Sequence, residues 1–182
     1  IEFYGGLNLL KQGIVTADAV TTVSESYARA IQTAEGGEKL EGVLSALGPK
    51  LLGITNGVDY GVWNPATDTA IAARYDAEDT TNRARCRGAL QRELGLALDA
   101  EVPLLASVGR VVAQKGSDIL AAALPSILRA TDAQVIIAGD GEAPLVKKLE
   151  AAVAKSHGRA VYVGNAPEGL VHRIFAGSDM VL

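Results

Sequence analysis

From residue 103 onward the chain repeats one pattern: a short apolar run, a glycine-bearing loop, then an amphipathic helix. The runs are 104-LLASV-108, 134-QVIIA-138 and 160-AVYV-163, and each is followed by a glycine, Gly109, Gly139 or Gly164. The spacing predicts helices over 117–130, over about 145–155, and from the loop 164-GNAPEG-169 to Ala176, with 180–182 opening another strand. Strands that alternate with helices form parallel sheets, because every connection must cross a face of the sheet and covers it. The fold class is therefore α/β, and the loops after the strands lie where such sheets bind ligands.

The first hundred residues follow the same logic less regularly. Leu7, Leu10, Ile14 and Val15 recur at helical spacing, so this stretch reads as an amphipathic helix. The β-branched run 19-AVTTV-23 reads as a buried strand, with Ser24 as the N-cap of a helix that carries Tyr27 and Ile31. The segment 34-AEGGEKLEG-42 reads as a loop, and 51-LLGI-54 as a short strand ending in the Asn56-Gly57 turn. From Asp59 to about Asp79 periodicity disappears, which marks an ordered linker that Trp63 packs onto a domain surface. A helix resumes near Thr81, with Leu90 and Leu94 on one face and Gly95 as its C-cap.

Composition narrows the function. A net charge of −4 leaves no basic stripe for nucleic acid. The single cysteine, Cys86, excludes an internal disulfide framework and a cysteine zinc site, and is the pattern of a reducing compartment. No apolar run approaches the roughly 18 residues of a membrane span. The chain opens at Ile1 and stops within the apolar run 180-MVL-182, so the expectation is a piece of a longer polypeptide.

Arg110 and Lys115 flank the loop between the strand at 104–108 and the helix at 117–130. Arg presents a planar fork suited to phosphate oxygens and Lys a compact charge. Gly116 lets the backbone approach an anion at the helix start. Together with Gly109 they fit a diphosphate clamp, although spacing alone equally describes two solvated cations. Gly139 and Gly141 either line a nucleotide or serve a plain strand-to-helix turn, and neither GxGxxG nor a P-loop occurs. His172 on its helix reads as structural and His157 as solvated, and Asp18, Glu41 and Asp59 form no catalytic carboxylate pair.

Five stretches, 18-DAVTTVSESYARAI-31, 54-ITNGVDYGVWNPATD-68, 74-RYDAED-79, 109-GRVVAQKG-116 and 172-HRIFAGSD-179, together resemble the bacterial glycogen synthases and plant starch synthases. The resemblance implies the GT-B fold, with Rossmann-like parallel sheets in two domains. Residues 1–66 would end the N-terminal, acceptor-side domain. Residues 67–100 would form the interdomain linker and a helix, and 101–182 the first half of the C-terminal, donor-binding domain. It implies retaining transfer of glucose from ADP-glucose to the non-reducing end of an α-1,4-glucan, with no obligatory metal or other cofactor. The partners implied are thus ADP-glucose and a glucan, with neither nucleic acid nor membrane. Arg110 and Lys115 would hold the diphosphate and neutralise the departing ADP, with Gly109, Gly116, Gly139, Gly141, Gly164 and Asn165 lining the donor site.

The family's lysine-x-glycine-glycine motif, its catalytic-domain histidine and its Glu-Pro-Cys-Gly-Leu segment fall outside these residues, so the 182 residues alone are expected to be inactive. Where the family commonly has Gly-Tyr after the third of these strands, this chain has Gly164-Asn165, which leaves the choice of ADP over UDP open. Alternatives are another GT-B transferase, of sucrose-phosphate-synthase or lipid-sugar mannosyltransferase type, or a non-catalytic glucan-binding homologue. A bacterial source would place the protein in the cytoplasm, and a plant or algal one in the plastid.

Overall fold

The computed structural model describes residues 2–182, which form two compact units, 2–59 and Tyr60–Leu182. Both contain parallel strand pairs, as the strand–helix alternation requires. Among the described residues no helix is long and apolar enough to cross a membrane.

In the first unit, β1 (Glu2–Phe3) and β2 (Gly6–Leu7) make a hairpin. The Asn8 side chain caps α1 (Leu9–Thr16), accepting the Lys11 amide at 2.9 Å. Strand β3 (Val20–Thr22) pairs in parallel with β4 (Leu51–Gly53), Val20 opposite Leu51. Ser24 caps α2 (Glu25–Ala30) as its sequence position predicts, its Oγ accepting the Tyr27 amide at 3.0 Å. One difference from the sequence reading lies at the end of the 34–42 loop, because α3 (Glu41–Ala46) already begins at Glu41. Gly42 reads as a breaker, but Leu40 and Leu44, four residues apart and both buried, hold the turn helical.

The second unit is a four-stranded parallel sheet. After α4 (Arg83–Glu93) the chain runs β5 (Leu104–Val108), α5 (Ser117–Ala130), β6 (Gln134–Ala138), α6 (Ala143–Ala154), β7 (Ala160–Val163), α7 (Glu168–Gly177) and β8 (Met180–Val181). Spatial order is β7-β6-β5-β8, so the chain steps outward from β5 in one direction, then returns to build on its other side. Side chains alternate across the sheet with the period of two that strands impose. Leu105, Val135 and Ile137 meet α5 and α6 through Leu124, Leu128, Leu145 and Leu149. Leu104, Ala106 and Ile136 meet α4 and α7 through Leu90, Leu170 and Ile174. Each of these buried Leu, Ile and Val side chains contributes about 1.5–3 kcal/mol relative to exposure. Helix α5 continues through Pro125, whose missing N–H removes one helical bond, because Leu124 and Leu128 anchor both sides of it in the core.

Helix α4, read from the sequence as part of the 67–100 linker, is built into this core. Leu90 is fully buried, and Glu93 forms a bidentate ion pair with Arg173 of α7 at 2.7 Å to each nitrogen. Gly95 follows in the left-handed region at φ 70°, where a helix C-terminus commonly places glycine.

The non-periodic stretch 60–82 is an ordered strap over α7. Trp63 stacks on His172 with ring centroids 4.0 Å apart and an 11° interplanar angle, and meets Phe175 edge-on at 5.7 Å. Beneath it, His172 Nδ1–H donates to Asp68 Oδ2 at 2.6 Å, both side chains being about nine-tenths buried. Burial opposes charge on Asp68, but the His172 bond and the Ala70 amide outweigh it and hold its carboxyl below the usual value of 3.8. The hydrogen bond to the Asp68 carboxylate thus stabilises the strap above that pH, and this contribution is lost as pH falls through the lowered value. His172 is therefore structural, as expected. Because Trp63 is half-buried, Trp63→Ala should destabilise the second unit by about 3 kcal/mol, the low end for such truncations. Urea unfolding measures this, and a midpoint unchanged from wild type would show that the strap is not anchored through Trp63.

Candidate functional site

The strand order reverses at β5, since the chain builds first toward β6 and β7 and then adds β8 on the other side, and α/β sheets bind ligands at the carboxyl ends of such a switch point. A pocket of about 230 Å³ opens there. Its walls come from the end of β5 and the loop beyond it (Ser107, Gly109, Arg110, Val111), from Lys115 and Ser117 at the start of α5, and from Leu182 just after β8. Ile137, Leu120 and Leu149 supply an aliphatic lining.

The loop between β5 and α5 is held rigidly although it is short. Val111 is 3% exposed and forms an isolated parallel bridge to Gly141. Its amide donates to Asp140 O at 2.9 Å, and its carbonyl accepts the Glu142 amide at 2.8 Å. A single 3-10 turn over Ala113–Lys115 then leads to Gly116, which adopts φ 71° and starts α5. A side chain at Gly116 would meet left-handed strain, so glycine is what lets the chain reverse between Lys115 and Ser117. The first helical bond runs from the Leu120 amide to Gly116 O at 2.9 Å. The amides of Ser117, Asp118 and Ile119 therefore have no intrahelical acceptor and mark the positive end of the helix dipole.

Arg110 and Lys115 are both exposed, and among the described residues neither side chain has an ion-pair or hydrogen-bond partner. Two unneutralised cations and a helix N-terminus in one partly aliphatic pocket favour an anionic ligand with several oxygens. Among the described residues, no group of three or more His, Cys, Asp or Glu is placed to share a metal ion.

The structure brings Gly109, Arg110 and Lys115 together at the pocket wall, with Gly116 joining Lys115 to Ser117. It does not bring Gly139, Gly141, Gly164 or Asn165 into that wall; they occupy the loops after β6 and β7. Gly139 has a structural reason of its own. At φ 141°, a Cβ there would lie 1.8 Å from Gly109 O, so the two strand ends close on each other only without a side chain. Asn165, at φ 50°, is exposed in the turn after β7, a conformation that asparagine tolerates.

Sequence reasoning missed Tyr162 and Ser117. The Tyr162 hydroxyl donates to Gly139 O at 2.7 Å, tying β7 to the β6 loop. Burial, reinforced by the charges of Asp140 and Glu150, raises its pKa above 10.0 and keeps the phenol protonated for that bond. Ser117 lies beneath the loop, and its signal was a hydroxyl at a position that the helical pattern turns inward. Asp68 left no such trace, because its partner His172 lies 104 residues away.

Comparison with known proteins follows the same outline. A family profile described as the starch synthase catalytic domain matches residues 1–46. The chain is 44% identical over 182 residues to a glycogen synthase of Anaeromyxobacter sp. (strain Fw109-5), covering all of this chain and 38% of that protein. A glycogen synthase of Burkholderia thailandensis is 44% identical over 183 aligned residues, covering all of this chain and 34% of that protein. Among solved structures, the catalytic domain of starch synthase IV from Arabidopsis thaliana, bound to ADP and acarbose, superposes with a TM-score of 0.86 at 32% identity. That match covers 94% of this chain and 36% of the plant domain.

Gly139→Ala should cost about 3 kcal/mol, at the upper end of overpacking effects, since the atom it meets is backbone. Thermal unfolding tests this, and a melting temperature equal to wild type would show that the β5 and β6 loops do not depend on the close approach.

Proposed function

We propose that this chain, which is similar over its full length to bacterial glycogen synthases and over 94% of it to a starch synthase, forms the nucleotide-sugar side of a glucan synthase. It spans about 38% of the length of the bacterial relatives it matches, so the activity proposed is that of the whole polypeptide. Glucose is transferred from ADP-glucose to the non-reducing end of an α-1,4-glucan, with retention at the anomeric carbon. The observation that carries this reading is the pocket at the β5–β8 switch point, where Arg110 and Lys115 stand unneutralised beside the start of α5.

When the anomeric C–O bond breaks, negative charge grows on the departing diphosphate. A fixed guanidinium fork and an ammonium stabilise that charge more in the transition state than in the bound donor. The helix start adds amides already oriented toward an anion. The starch synthase with bound ADP and acarbose supports this assignment by likeness, since its nucleotide and its oligosaccharide correspond to the two substrates proposed here. Preference for ADP over UDP is the finer part of the proposal. Asn165 offers a hydrogen bond to a base edge and no stacking face, so the base is held less firmly than the phosphates.

In the full-length polypeptide, Lys115→Ala should lower kcat by roughly two orders of magnitude or more, because one preorganised charge stabiliser is worth about 3–4 kcal/mol. Arg110→Lys should also lower it, since the planar fork is lost while the charge remains. Steady-state transfer of glucose from ADP-glucose to glycogen measures both, and near-normal turnover in the two variants would contradict the clamp.

A further inference from the structure

The pocket contains a polar group that the arginine–lysine pair does not account for. Ser117 is the first residue of α5, is 8% exposed, and lines the pocket between Lys115 and Leu120. Its hydroxyl has no hydrogen-bond partner among the described residues. Most buried polar side chains in folded proteins are paired, so an unpaired hydroxyl here calls for a reason.

Two ordinary reasons fail. A serine at a helix start commonly caps the helix, but the cap position belongs to Gly116, and Ser117 already lies inside the first turn. A sealed orphan would be a packing defect, yet Ser117 is not one of the sealed ones. Among the described residues, those side-chain atoms belong to Glu41, Arg83, Arg87 and Ser178. The Ser117 oxygen therefore keeps contact with the pocket's open space while the rest of the side chain is enclosed. Ser107, half-buried on β5, lines the same pocket and likewise has an unpaired hydroxyl. Two hydroxyls thus join Arg110 and Lys115 in the polar part of the lining.

Resting on the reading of this pocket as a nucleoside-diphosphate site, we propose that the Ser117 hydroxyl donates a hydrogen bond to a phosphate oxygen of the nucleotide. It would act as a neutral contact beside the charges of Arg110 and Lys115. The geometry suits this role. The Lys115 side chain comes from the 3-10 turn that precedes Gly116, and the Ser117 hydroxyl and the amides of Ser117, Asp118 and Ile119 from the first turn of α5 directly after it, with Lys115 and Ser117 lining the same pocket. The contact serves binding. Free ADP carries the full diphosphate charge, so the contact is read directly in its affinity.

Calorimetric titration of the full-length polypeptide with ADP and, separately, with adenosine tests the assignment. In Ser117→Ala the Kd for ADP should rise about tenfold, equivalent to 1.4 kcal/mol, with the Kd for adenosine unchanged. Ser117→Thr, which keeps the hydroxyl, should remain close to wild type for ADP. Equal ADP affinity in wild type and Ser117→Ala would overturn the contact and leave the pocket's reading intact. Equal weakening toward ADP and adenosine would show a structural effect and overturn it as well. Absence of ADP binding by the wild type would instead remove the nucleotide reading on which the contact rests.

Discussion

Strand β5 is enclosed on all sides, and this constraint organises the second unit. Leu104 and Ala106 are fully buried against α4 and α7, while Leu105 packs toward α5 and α6. Its edges are occupied by β6 and β8, each parallel to it. Only the carboxyl end remains open: α5 leaves β5 across one face of the sheet toward β6, and α7 returns across the other face into β8. The pocket is thus a product of strand order. Gly109 and Gly139 permit the ends of β5 and β6 to touch, and the Val111 bridge carries the pairing past the strands proper. The loop bearing Arg110 and Lys115 then has a firm base, so two long flexible side chains start from defined positions.

A second dependence runs through α7. The strap at 60–82 is held there by Trp63 stacked on His172 and by Asp68 beneath it, and Arg173 ties the same helix to Glu93 of α4. Helix α7 feeds β8, and the residue after β8, Leu182, is a wall of the pocket. Aromatic stacking, a buried hydrogen bond to a carboxylate and a surface ion pair therefore meet on one helix whose exit helps shape the site. Asp179, at that exit, accepts the Leu104 amide at 2.7 Å and pairs with Arg87 at 2.8 Å, which fixes β8 against β5.

The sheet of the second unit could be read from the sequence because its information is local. Apolar runs of four or five residues, each closed by a glycine, locate β5, β6 and β7 at their observed bounds. Ser24 as a helix cap and Gly95 beyond a helix end were readable for the same reason. What stayed hidden depends on contacts between distant residues. Nothing near Asp68 announces His172, and nothing around Gly139 shows that its missing side chain makes room for Gly109. Helix α3 was obscured by Gly42, whose weak helical tendency is overridden by the burial of Leu40 and Leu44. At the site, Arg110 and Lys115 stood out by spacing and family likeness, whereas Ser117 became visible only when its unpaired hydroxyl was found at the pocket wall of an otherwise buried residue.

The central claim is that the β5–β8 pocket holds the diphosphate of a sugar nucleotide. A crystal structure of the full-length polypeptide with ADP tests it most directly. The account predicts phosphate oxygens within hydrogen-bonding distance, about 2.7–3.2 Å, of the Arg110 guanidinium and the Lys115 ammonium at the start of α5. A diphosphate bound elsewhere, with Arg110 and Lys115 directed to solvent, would contradict it.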